Sequence, residues 1–154
     1  MRTRLTTLKR LMNLYDTVEQ VHLVELQRML LRVREVDQAV DTQRAAVNSA
    51  GLDGRDALMR GDPIGRIAAE TQREVAGGMR ERLEKIRLER EALWKAAKEQ
   101  HTESRLKSEQ MKSVVEGLET QVGIEDGRRM QVAADDRYLS RRRWADAASH
   151  ADGR

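Results

Sequence analysis

Along the first third of the chain, apolar side chains recur alternately three and four residues apart: Leu5, Leu8, Met12, Tyr15, Glu19, His22, Leu26, Met29, Val33, Val36, Val40, Gln43 and Val47. Ten of these thirteen positions are apolar. That is enough to hold one narrow seam of a slightly underwound helix against a partner helix, the condition for a coiled coil. The spacing predicts a helix over 3–49, with the Thr3 hydroxyl as its cap. The pattern then stops at a glycine-rich stretch, Gly51, Gly54, Gly61 and Gly65, which predicts a turn over 50–62. Asp62 followed by Pro63 suits the cap and first turn of a second helix.

That second helix is expected over 63–148. Its apolar or small positions are Ile64, Ile67, Val75, Met79, Leu83, Ile86, Leu93, Ala97, Met111, Val114, Leu118 and Val122. The seam is poorer than the first. Gly77 and Gly78 each cost about 1 kcal/mol relative to Ala in a helix, Gln100 to Gln110 is almost wholly polar, and Gly117, Gly123 and Gly127 fall close together. Weak points are therefore expected near 77–78 and 117–127.

A lone helix with one apolar stripe is not stable. Ordering each backbone unit costs about 1–2 kcal/mol, whereas only one residue in three or four recovers about 1.5–3 kcal/mol on burial. The first stripe needs a partner, and the short connector makes the second helix the nearest one. The expected fold is all-α: a single antiparallel two-helix coiled-coil hairpin over 1–154 with a longer C-terminal helix. At about 1.5 Å per residue the arms would measure roughly 70 Å and 125 Å. Pairing would use the second helix to about Lys107, leaving Met111, Val114, Val115, Leu118, Val122 and Met130 in need of other cover.

Composition agrees with a molecule that is mostly surface. Of 154 residues, 36% are charged and 3% aromatic, with no Phe and one Pro, so a globular core cannot be filled. The net charge of +3 conceals 29 basic against 26 acidic residues. Between 128 and 143, however, Arg128, Arg129, Arg137, Arg141, Arg142 and Arg143 face only Asp135 and Asp136. The absence of Cys fits a reducing compartment. No apolar run approaches the ~20 residues that span a bilayer, so a cytoplasmic protein without direct membrane insertion is expected.

Chemistry finds little purchase. His22, His101 and His150 are scattered, no metal-ligand spacing occurs, and the stretch from Gly61 to Gly65 lacks the lysine and hydroxyl of a phosphate loop. No catalytic residue, cofactor or metal site is expected, and the seven Met and Trp94 read as seam fillers. Glu19, His22 and Gln43 read as polar seam residues that fix register. The arginines beside Tyr138 and Trp144 admit three readings: compensation of a helix dipole, a protein partner, or a nucleic-acid patch. Arg2, Arg4, Lys9 and Arg10 lie at a helix N-terminus, where positive charge opposes the dipole. Local stability does not account for them, which points to docking of both ends on an acidic surface.

The opening Leu5, Leu8, Lys9, Leu11 and the closing run Arg129, Gln131, Asp135, Asp136, Arg141, Arg142, on an unequal hairpin, resemble the FliJ/YscO family. These are the central stalk proteins of flagellar and virulence type III secretion ATPases. The resemblance implies a non-enzymatic stalk at the cytoplasmic face of the inner membrane export apparatus, with secretion chaperones as further partners and no nucleic acid. Its paired ends would enter a hexameric export ATPase through Arg2, Arg4, Leu5, Leu8, Lys9, Arg129, Gln131, Asp135, Asp136, Arg141 and Arg142. Its tip would face an export gate protein, with Val40, Gln43 and Val47 as the gate surface. The glycines between 117 and 127 depart from a stiff shaft. A homo-oligomeric coiled-coil scaffold and a basic-tailed nucleic-acid binder are the competing readings.

Overall fold

A computed structural model describes residues 2–151, with side chains described to 148. It contains two helices, α1 (Arg2–Met59) and α2 (Pro63–Ala151), packed against each other as a helical hairpin, with no strand among the described residues. All thirteen positions of the stripe from Leu5 to Val47 are buried or half-buried. The three-four alternation then continues through Ala50, Gly54 and Ala57, which are also covered.

That continuation moves the turn. α1 runs ten residues past the expected end at 49, through Gly51 and Gly54, and among the described residues only Arg60, Gly61 and Asp62 lie outside the helices. Burial outweighs glycine's helix penalty here, because Ala50, Ala57, Ala69 and Ala76 are all buried in the same seam. A Cβ added to Gly54 would lie 3.5 Å from that of Ala69, so small side chains let the two backbones approach closely. At the other end Thr3 lies inside the helix, which begins at Arg2, rather than at a cap. Helical structure also continues without a break through 77–78 and 117–127.

The turn satisfies both helix ends with three residues. Gly61 takes a left-handed backbone (φ 68°), its N–H donates to Leu58 O (3.2 Å), and the N–H of Asp62 donates to Ala57 O (2.9 Å). This paired closure is the Schellman motif, which needs a residue tolerant of positive φ at Gly61. Asp62 then caps α2: its Oδ1 accepts from the N–H of Gly65 (3.0 Å), and Pro63 occupies the first helical position as expected.

The chain divides into two compact units, one of residues 1–16 with 106–154, the other of 17–105. In the second unit the seam holds Val33, Val36 and Val40 of α1, and Arg80, Leu83, Arg90, Trp94 and Ala97 of α2. Arg90 reaches across to donate to the carbonyl of Arg32 (2.9 Å), and Arg87 pairs with Asp37 (2.5 Å). Trp94 is half-buried at the seam, with the Lys98 ammonium 5.5 Å from its ring centre. Ile64, Ile67, Val75, Met79, Ile86 and Leu93, expected in the seam, are instead exposed. The buried line of α2 near the turn consists of Ala and Arg stems, so the largest apolar residues do not mark it.

In the first unit Ser108 is fully buried, and Val115 is 3% exposed. Met111, Leu118 and Val122 are half-buried with them, whereas Val114 and Met130 are exposed.

 Leu118 and Val122 thus find cover within the hairpin. Pairing reaches Asp126 rather than ending near Lys107, because the turn falls at 60–62 and lengthens α1. From 127 to 148 every residue of α2 is exposed. Among the described residues no helix is long and apolar enough to cross a membrane.

Candidate functional site

One flank of the first unit carries three ion pairs at matched steps of seven residues: Arg2 with Asp126 (2.8 Å), Lys9 with Glu119 (2.5 Å) and Asp16 with Lys112 (3.2 Å). Seven residues return a coiled-coil helix to the same face, so the three pairs form a ladder. Its signs set the register. The α1 side reads plus, plus, minus, and a slip of one heptad would set Asp16 against Glu119. Each pair is partly exposed and contributes little alone, about 0–1 kcal/mol for pairs of this kind. The specificity lies in the mismatch that a slip would create.

Asp16 also accepts a hydrogen bond from the hydroxyl of the buried Ser108. That bond holds its carboxyl below the usual carboxylate range, against the loss of hydration, and Lys112 adds to the effect by hydrogen bond and charge. The Arg2 guanidinium is raised above its ordinary value, first by its hydrogen bond to Asp126 and then by that residue's charge.

These contacts revise the reading of the N-terminal cations. Arg2 and Lys9 have partners on α2, so pairing within the hairpin accounts for both, whereas Arg4 and Arg10 are exposed. Leu5 and Leu8 are half-buried in the seam, where they hold α1 to α2. Arg129, Gln131, Asp135, Asp136, Arg141 and Arg142 all lie in the exposed part of α2 beyond the last ion pair. Of the candidate charged positions in the first unit, Arg4, Arg10 and this segment are exposed and lie outside the ion pairs described above.

In the second unit, Val40 is 4% exposed, and Gln43 and Val47 are half-buried. They lie in the seam against the partner helix. Exposed apolar residues occur along both arms of this unit, and those flanking the turn are Leu52, Leu58, Met59, Ile64 and Ile67. Sequence reasoning missed them as a group because it placed the first three in a turn and the last two in the seam. For Leu52, Leu58 and Met59 the signal was an off-stripe position, since none falls on the three-four alternation that ends at Ala57.

Two shallow grooves flank the seam in this unit. One is bordered by Val47, Gly51, Leu58, Arg66 and Arg73, the other by Ala46, Ser49, Thr71 and Val75. Both are open, and neither excludes water in the way that enclosed binding sites do. Among the described residues no group of three or more His, Asp or Glu stands close enough to hold a metal ion. No protein-family model, curated protein or solved structure matches this chain.

Proposed function

We propose that this protein is a non-enzymatic coiled-coil stalk of a type III protein export apparatus, flagellar or virulence-associated, working in the cytoplasm at the inner membrane. The observation that carries the reading is the first unit: the opening turns of α1 are fastened to α2 up to Asp126, and a basic, exposed helix continues beyond. Such an end suits insertion into a ring, because Arg4, Arg128, Arg129, Arg141, Arg142 and Arg143 present cations to an acidic lining. Leu58, Met59, Ile64 and Ile67 would take the role of gate contact, in place of Val40, Gln43 and Val47. The resemblance that brings the family into view lies in the leucine and lysine pattern from Leu5 to Leu11 and the run from Arg129 to Arg142.

Coupling in this reading is a difference of binding free energies. A helical pair that touches ring subunits unequally makes their nucleotide affinities unequal, and nucleotide binding biases the contacts in return. The test is stimulation of a hexameric export ATPase. The triple variant Arg4→Glu, Arg141→Glu, Arg142→Glu changes exposed positions outside the ion-pair ladder and should keep its helicity while losing most of the stimulation. Unchanged stimulation would reject the reading.

A further inference from the structure

Where α2 leaves α1 behind, its seam does not end but changes character. The covered positions Met111, Val115, Leu118 and Val122 continue at the same spacing into Arg129, Val132, Asp136, Leu139 and Arg143, all exposed. Beside the three charged positions stand residues of the same sign, giving Arg128 with Arg129, Asp135 with Asp136, and Arg142 with Arg143. Each doublet is seven residues from the next, so all three lie on one face of the helix. A face of alternating sign is repelled by an identical face laid parallel and in register, and is complementary to one laid antiparallel and suitably offset.

We infer that this face binds a second copy of the chain, with the two exposed segments antiparallel about Leu139. In that register Asp135 and Asp136 of one protomer meet Arg142 and Arg143 of its partner, and two-fold symmetry supplies the reciprocal contact. Leu139 lies at the axis, opposite its own symmetry mate, and contributes the central apolar contact. The other antiparallel offset, which would pair the aspartates with Arg128 and Arg129, brings Arg142 level with Val122. That position is already half-buried against α1, so the hairpin itself forbids it. Charge pattern and available surface thus select the same arrangement.

This interface is independent of the export reading. It also uses the segment that would dock in a ring, so self-pairing and ring docking exclude each other.

The experiment is a charge swap on the full chain, followed by sedimentation equilibrium at low salt. Asp135→Arg with Asp136→Arg sets arginines against arginines in the homodimer, and Arg142→Asp with Arg143→Asp sets aspartates against aspartates. Each variant alone should associate at least about tenfold more weakly than the wild type, whose dimer should itself weaken as ionic strength rises. An equimolar mixture of the two restores opposite charges at both contacts and should recover the wild-type association. Circular dichroism of each variant should show unchanged helicity, since all four positions are exposed. A wild type that stays monomeric to about 100 μM, variants that dimerise as the wild type does, or a mixture that fails to recover would each overturn the inference. Monomers that instead bind an oligonucleotide or an acidic protein would assign the face to that ligand and overturn it equally.

Discussion

Replacing Gly61 by Ala tests the turn, because the same substitution elsewhere in the chain has the opposite sign. Gly61 holds a φ of 68°, a region that costs an L-residue roughly 1–2 kcal/mol. Gly51 sits inside α1 with nothing within 4 Å of an added Cβ, so Ala there removes a helix penalty of about 1 kcal/mol without a clash. Gly61→Ala should therefore destabilise and Gly51→Ala should stabilise, a separation of about 2–3 kcal/mol, or roughly 30- to 150-fold in the folding equilibrium. Urea unfolding followed by far-ultraviolet circular dichroism reads the difference as a shift in midpoint at constant slope. Gly117→Ala and Gly123→Ala serve as further controls, since both positions are helical and open, and both should behave like Gly51→Ala. If Gly61→Ala raised the midpoint as Gly51→Ala does, the left-handed closure at Gly61 would be wrong.

Two other outcomes follow from the packing and the electrostatics. Ala69→Leu should cost about 1–3 kcal/mol by overfilling the close approach at Gly54, whereas Ala68→Leu on the exposed side should change the melting temperature little; equal effects would mean that the seam is misplaced. The carboxyl of Asp16 is held below its ordinary value, so its contribution is complete above that ordinary value and is lost as pH falls through the lowered one. The stability gap between wild type and Asp16→Asn should accordingly be full near neutrality and close only in acid, below about pH 4, and a gap that does not change with pH would remove the Ser108 and Lys112 contacts from the account.

The first arm was legible because its seam is built mostly from large side chains at strict spacing, and each of the thirteen stripe positions from Leu5 to Val47 is buried or half-buried. The same rule failed at the turn. There the seam passes to Ala50, Gly54, Ala57, Ala69 and Ala76, residues too small to register as an apolar stripe, and glycine was read as a loop signal. The missed ten residues of α1 in turn displaced the pairing along α2. On α2 the larger residues Ile64, Ile67, Val75, Met79, Ile86 and Leu93 drew attention to the outer side, while Arg80 and Arg90 occupy the inner line with their stems. The exposed basic segment could be read from composition alone, but which N-terminal cations pair within the hairpin could not. That depended on Asp126 and Glu119 standing opposite Arg2 and Lys9.

Because Asp62 both completes the closure of one arm and opens the next, the connector has no slack residue. Adding or deleting a single amino acid on either side would turn one seam by about 100° relative to the other and strip it of its partner. A hairpin closed in this way can be lengthened or shortened only in matched blocks of seven, one block taken from each arm at the same level. Its reach is thus quantised by its own connector.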